Sequence, residues 1–206
     1  MRNHSPASER NKAPIFNKLK NILESAESVL EIGSGSGQHC LHATARFPKL
    51  HWQCTDTQQY LSALAENLTE FGTSTLPPPL QIDVSENDWL NGQVNKQYDI
   101  VFCANTLHIM SEKNIGDFFI GLDFVVHTSS QLIIYGPFRE RGAYRSEGDA
   151  QFDLTLRARG TGSGIRNREW IDKLSLEKQF LPQERWELPA NNLLLVYSRA
   201  PLQSRT

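Results

Sequence analysis

The stretch Val29-Leu30-Glu31-Ile32-Gly33-Ser34-Gly35-Ser36-Gly37 decides the fold. Its first four residues read as a short strand. The glycine cluster ends that strand, and a helix follows from about Gln38 to Phe47, stopping at Pro48. Glycines at such a junction let the backbone turn sharply and approach a ligand closely. A lone glycine pair would read equally well as a tight turn. Three alternating glycines between a strand and a helix point instead to a nucleotide-type site.

The pattern extends in both directions from this loop. Upstream, Ile15, Leu19, Ile22 and Leu23 recur at helical spacing, with Pro14 suited to a first turn. Downstream, His51–Thr55 reads as a strand, Ser62–Phe71 as a helix, and Leu80–Ile82 as a brief strand after the stiff Pro77-Pro78-Pro79. The near-continuous apolar run Asp99–Ala104 predicts a strand buried on both faces. Ser111 caps a helix with Ile115, Phe118, Phe119, Leu122 and Val125 on its apolar side, and Gln131–Tyr135 is a further strand. The 136–166 stretch reads as long and irregular, which marks it as functional. Asn167 caps a short helix through Leu174. Phe180–Leu188 and Leu193–Tyr197, split by Pro189-Ala190-Asn191-Asn192, form a terminal antiparallel hairpin. Strands alternating with helices and closed by a hairpin predict an α/β three-layer sandwich on a mostly parallel sheet. Ligands in such sheets bind at the carboxyl ends of the strands.

Composition narrows the classes. The chain has 206 residues, 39% of them hydrophobic. That predicts one domain over 1–206, with 1–27 as an N-terminal cover and helix and 136–166 as a substrate lid loop. Twenty-one basic residues against 23 acidic ones leave a net charge of -2, so no global basic field invites nucleic acid. No apolar run approaches a membrane span, and the polar start carries no signal-peptide core. Cys40, Cys54 and Cys103 are odd in number and lack CxxC spacing. Neither a disulfide framework nor a metal site is expected, and a reducing cytoplasm fits best.

The charges around the loop choose its ligand. The dinucleotide fingerprint Gly-x-Gly-x-x-Gly places a pyrophosphate on the helix N-terminus. Here the third glycine falls one residue early, and Gln38 takes its place. Glu31 stands two residues before the first glycine, where a carboxylate repels pyrophosphate but helps to hold an ammonium group. S-adenosylmethionine has an ammonium, a sulfonium and no phosphate. The pattern acid-x-Gly-x-Gly-x-Gly resembles the first motif of class I methyltransferases. Asp56 closes the second strand, where a carboxylate accepts both ribose hydroxyls. Asp83 ends the third strand; in class I methyltransferases an acid there meets the adenine amine and the next amide, here that of Val84, meets the ring. Gly33, Ser34, Gly35 and Gly37 form the loop, and His39 sits at the helix start, where the macrodipole favours its neutral form.

Further segments carry a whole-chain likeness. Ala7-Ser8-Glu9-Arg10-Asn11-Lys12, Gly35-Ser36-Gly37-Gln38-His39, Phe102-Cys103-Ala104-Asn105 with His108, Tyr135-Gly136-Pro137-Phe138 and Pro189-Ala190-Asn191-Asn192-Leu193 together resemble a methyltransferase-like family, the methyltransferase-like protein 26 type. The resemblance implies a class I, Rossmann-like fold and S-adenosylmethionine binding. It does not by itself imply catalysis or name an acceptor. Ser36 stands where threonine is common in such loops.

Methyl transfer needs an aimed nucleophile and, where the acceptor must lose a proton, a base. Neither an Asn-Pro-Pro-Tyr motif nor a Pro-Cys pair is present. Asn105 is placed to touch cofactor or acceptor, and Ala104 lies beside it. His108 is the candidate base, with an ordinary pKa of about 6.5, and Tyr135 is a candidate hydroxyl donor; each also reads as an ordinary structural residue. Asn11, Arg139, Arg145 and Arg157 are candidate acceptor-binding residues. The arginines of 136–166 either grip an anionic small molecule or form ion pairs with Glu140, Glu147, Asp149 and Asp153. Gly160-Thr161-Gly162-Ser163-Gly164 reads as a hinge. The leading expectation is an S-adenosylmethionine-dependent methyltransferase acting on a small molecule. A catalytically silent cofactor-binding module within a complex and a nicotinamide-dependent oxidoreductase remain as alternatives.

Overall fold

The computed structural model describes residues 1–73, 76–86 and 96–200. Helices α1 (Pro6–Lys18) and α2 (Lys20–Ser25) precede strand β1 (Ser28–Ile32). Then follow α3 (Gln38–Arg46), β2 (His51–Asp56), α4 (Gln58–Phe71), β3 (Leu80–Gln81), β4 (Tyr98–Ala104), α5 (Glu112–Val125) and β5 (Val126–Gly136). The chain continues through β6 (Phe138–Arg139), α6 (Glu147–Arg157), β7 (Arg166–Asn167), α7 (Arg168–Glu177), β8 (Phe180–Leu188) and β9 (Asn192–Arg199). Seven strands form one sheet in the order β3-β2-β1-β4-β5-β9-β8, while β6 and β7 pair separately. The first five are parallel neighbours, and β9 and β8 add antiparallel to β5. This is the Rossmann-like sandwich with a terminal hairpin that the sequence predicts.

Period-two alternation builds the two cores. On β4, Ile100 and Phe102 face one layer, and Val101 and Cys103 face the other. Leu132 and Ile134 of β5 join the layer packed by α5 and α7. Ile133 and Tyr135 join the layer packed by α1, α3 and α4. Both faces are therefore covered, as a parallel sheet requires. The hairpin turns through Ala190 and Asn191, both in the left-handed region (φ 61° and 58°). β8 lies at the sheet edge. It carries Pro182 beside a register shift, and the exposed charges of Glu184, Arg185 and Glu187 discourage further strand pairing.

Three expectations are corrected. α1 begins at Pro6, not near Pro14. Ser5 caps it by accepting from the Ser8 amide, and Pro6 occupies the first turn. Its polar first half is helical because Glu9 and Asn11 find partners on α3. α4 begins at Gln58, four residues before the expected Ser62. The 136–166 stretch is not irregular: it holds β6, the bridge Glu140–Ala143, and α6, which Ser146 caps by accepting from the Asp149 amide. No helix among the described residues is long and apolar enough to cross a membrane.

Phe102 is the keystone of the layer under α1 and α3. It is 1% exposed, and the rings of Trp52, His39 and Phe16 surround it at centroid distances of 5.5, 5.7 and 5.9 Å. Phe102→Ala is expected to cost about 3–5 kcal/mol. The check is a lower urea midpoint at an unchanged slope.

Candidate functional site

Register brings the predicted residues to one end of the sheet. Ile32 pairs with Thr55, Glu31 with Phe102, and Ala104 with Tyr135. The residues that follow these strands therefore emerge together, at the switch point where β1 lies between β2 and β4. A cleft of about 390 Å³ opens there, within the usual range for small-molecule sites. Gly33, Ser34, Gly35, His39, Asp56, Asp83, Val84, Ala104 and Asn105 all line it.

The glycine loop is built for close approach. Gly33 sits at φ +74°, and a Cβ there would lie 2.8 Å from Thr106 Cγ2. Gly35 sits at φ +57° with nothing within 4 Å of a Cβ position, so its bare backbone faces open space. The Gly35 amide donates to Asp56 Oδ2 at 2.7 Å, and the Thr57 amide donates to Oδ1 at 2.8 Å. Burial raises the Asp56 pKa, while these two bonds pull against the rise. Asp83 uses Oδ1 to accept from the Ser85 amide and hydroxyl.

Asn105 carries two marks of a ligand-facing residue. It adopts φ 57°, a left-handed conformation that costs a non-glycine side chain energy. Its Nδ2 is buried with no hydrogen-bond partner among the described residues. A buried, unsatisfied donor costs about 1–3 kcal/mol unless something completes it.

The N-terminal segment forms the roof. Asn3, Ser5 and Ser8 line the cleft. The Arg2 amide donates to Asn67 Oδ1, and Asn67 Nδ2 donates back to the Arg2 carbonyl and to that of Ser36. The Ser5 amide donates to Gln38 Oε1 at 2.7 Å. Asn67 and Gln38 are almost fully buried, so these amides tie roof to glycine loop out of reach of water. Sequence reading missed Ser5, Thr106, Ile109 and Met110 on the cleft wall. The Ser5-Pro6 cap signal, and an apolar pair just after a strand-end loop, were their only traces.

Glu31, His39, Asn11 and Tyr135 join beneath this roof. Glu31 does not line the cleft. It is 1% exposed and accepts from Trp52 Nε1 at 2.9 Å. Burial pushes its pKa up to about 7, against the bonds from Trp52, Ser34 and Cys54. His39 Nδ1 lies 3.7 Å from Glu31 Oε1, and His39 Nε2 is 2.8 Å from Asn11 Oδ1. Burial, with His42 and Lys12 nearby, lowers the His39 pKa to about 4, so the ring is neutral. The Tyr135 hydroxyl accepts from Asn192 Nδ2 at 2.8 Å and also bonds Asn11; burial raises its pKa. Asn11 thus ties α1 to both the cleft wall and the end of β5.

His108 and the arginines lie elsewhere than the lining. His108 packs edge-on against Phe152 and lies 3.6 Å, at Nδ1, from a Cβ position on Gly136. Burial, with Arg159 and Arg166 nearby, lowers its pKa to about 4 rather than leaving it near the ordinary value. Arg145 is committed to Glu140 (2.5 Å) and Glu187 (2.9 Å), and Arg157 gives Nε to Asp153 at 2.7 Å. Arg139 forms no ion pair among the described residues. It lies over the Tyr144 ring at 5.6 Å, and its buried Nε has no partner.

Glu31 and His39 set opposite pH dependences. The folded-state pKa of Glu31 lies above its ordinary 4.5, so its stabilising contribution is complete below that value and is lost as pH rises through about 7. His39, lowered from 6.5 to about 4, contributes stability above pH 6.5 that is lost as pH falls through about 4. The wild type is therefore expected to lose stability relative to Glu31→Gln between pH 5 and pH 8. Urea midpoints of both proteins at the two pH values check this, and an unchanged gap contradicts it.

Solved structures of similar shape share this fold at low identity. One is an O-methyltransferase family protein from Burkholderia thailandensis, with 13% identity over 96% of this chain and 60% of that one and a TM-score of 0.75. Another is human N-acetylserotonin methyltransferase, solved in complex with SAM, with 9% identity over 93% and 52% and a TM-score of 0.76. A third is the mitomycin 7-O-methyltransferase MmcR, with 14% identity over 94% and 60% and a TM-score of 0.74. The chain thus spans 52% to 60% of the length of these three proteins. They share the fold. A family model described as "Protein of unknown function (DUF938)" matches residues 2–199, and the chain belongs to that family.

Proposed function

We propose that this chain binds S-adenosylmethionine and transfers its methyl group to a small acceptor that bears an anionic group. One observation carries the cofactor assignment. The described lining of the cleft includes two carboxylates, Asp56 and Asp83, and neither lysine nor arginine. A third carboxylate, Glu31, is buried beneath. Such a cleft disfavours a pyrophosphate and suits a ligand with a sulfonium and an ammonium. The open space over Gly35 and the unpartnered Asn105 Nδ2 fit the same ligand.

In this reading Asp56 accepts the ribose hydroxyls, Asp83 takes the adenine amine, and the Val84 amide meets the ring. Gly33, Ser34 and Gly35 bring backbone close to the methionine portion, with Ala104 and Asn105 opposite; Gly37 does not line the cleft but packs against Leu64 and Leu68 and turns the chain into α3. The cofactor supplies an electrophilic methyl group. The chain aligns the acceptor, excludes water with its N-terminal roof, and fixes Asn105 beside both. His108 and Tyr135 serve the acceptor side in this reading, although neither lines the cleft. A base with a pKa of about 4 removes protons poorly at neutral pH, so the acceptor atom needs little deprotonation. Of Arg139, Arg145 and Arg157, only Arg139 forms no ion pair among the described residues, which leaves its guanidinium for an anionic group. The narrower likeness to methyltransferase-like protein 26 belongs to the same proposal. So do a single domain, an intracellular setting and a role for 136–166 over the acceptor.

The weak basicity of His108 also favours a second reading, a cofactor-binding module without turnover. Calorimetry with S-adenosylmethionine, S-adenosylhomocysteine and NADH tests the cofactor. The first two are expected to bind and NADH is not. Asp56→Asn is expected to weaken binding about tenfold or more, through the loss of a charged hydrogen-bond acceptor. An NADH signal without S-adenosylhomocysteine binding would overturn the assignment. Binding without methylation across a panel of small anionic acceptors would favour the silent module.

A further inference from the structure

The loop after β4 is gripped from outside, residue by residue. The Gly164 amide donates to the His108 carbonyl at 2.9 Å, and Ser163 Oγ donates to that of Ile109 at 2.9 Å. Arg166 Nη2 donates to the carbonyls of Met110 (2.6 Å) and Gly162 (2.5 Å). A Cβ on Gly162 would lie 3.0 Å from Ser111 Cβ. The inner side of this loop lines the cleft through Ile109 and Met110.

On the outer side is a hollow of about 420 Å³, lined by Glu112, Arg157, Gly162, Ser163 and Arg166. Its positive charge is incompletely matched. Asp153 is fully buried and satisfied by the Tyr144 hydroxyl, the Ile165 amide and Arg157 Nε. Arg157 is half exposed; it gives Nε to Asp153 and also bonds the Tyr144 side chain. Arg166 is 5% exposed at the side chain, and its Nε has no partner. Its nearest acid, Glu112, lies 3.3 Å away and is 74% exposed. Burial lowers the Arg166 pKa; Glu112 opposes this, and crowding by Arg157 and Arg139 adds to it. Glu112 also begins α5, so the positive end of that helix borders the hollow.

We propose that this hollow is an oxyanion site for a phosphate or carboxylate group. The guanidinium of Arg157 binds it, with the unpartnered Nε of Arg166 supplying charge and a donor. Occupancy alters the grip on residues 108–111 and so changes affinity in the cleft. The site itself stands apart from the cofactor reading; only the coupling rests on it.

Inorganic phosphate, titrated at constant ionic strength and followed by amide resonances, tests the site. Saturable shifts are expected at residues 109–112 and 162–166. Arg157→Gln should abolish them. Glu112→Gln, an exposed change that leaves Asp153 paired, should tighten phosphate about threefold by removing the competing acid. No saturable shift, or phosphate affinity unaltered in both variants, overturns the site. Coupling predicts that phosphate and S-adenosylhomocysteine change each other's affinity by one common factor. Independent affinities overturn the coupling. If S-adenosylhomocysteine does not bind at all, the cofactor reading fails while the phosphate arms still decide the site. A phosphomonoester or carboxylate that displaces phosphate and gains a labelled methyl identifies the acceptor's own anionic group. Displacement without label identifies a separate effector; either result supports the site.

Discussion

The bond from the Gly35 amide to the Asp56 carboxylate is the interaction on which the cleft depends. It joins the loop after β1 to the end of β2, and so fixes the backbone that a ligand must approach. The geometry is available only because Gly33, Gly35 and Gly37 all adopt positive φ. Side chains then lock it from above. Asn67 and Gln38, both buried, bond the loop or helix α3 to the N-terminal segment. Buried amides of this kind are costly unless every bond is made, so they specify one arrangement of the roof.

Charge is what the proposed choice between nucleotide-like ligands rests on. The cleft carries carboxylates at the ends of β2 and β3, while the guanidinium groups of Arg157 and Arg166 lie beyond the loop after β4. Negative and positive regions are thus separated by a few residues, Ile109 to Glu112. Burial keeps His39 and His108 neutral and so adds no positive charge to the cleft side.

Much of this was legible in the sequence. The apolar run of β4, the glycine loop, and Asp56 and Asp83 at strand ends follow from local pattern, because strand period and turn chemistry are local properties. Helix α6 was hidden, since its apolar positions are few and Phe152 and Leu154 remain exposed. The helical character of Glu9–Asn11 was hidden too, because it depends on partners about 28 residues away on α3. Glu31 was placed in the right loop region but on the wrong side of it. Alternation along β1 sends its side chain toward Trp52 and the α3 layer rather than into the cleft. The arginines of 136–166 were legible as a cluster, yet only the tertiary contacts show Arg145 committed to Glu140 and Glu187.

Hydrogen exchange with and without saturating S-adenosylhomocysteine tests the central claim, a carboxylate-lined cleft roofed by the N-terminus, most directly. Amides of residues 2–9, 33–39, 83–84 and 104–110 are predicted to exchange more slowly with ligand, because loop, roof and wall close on one molecule. Unchanged exchange in those segments, with protection from NADH instead, would contradict the account.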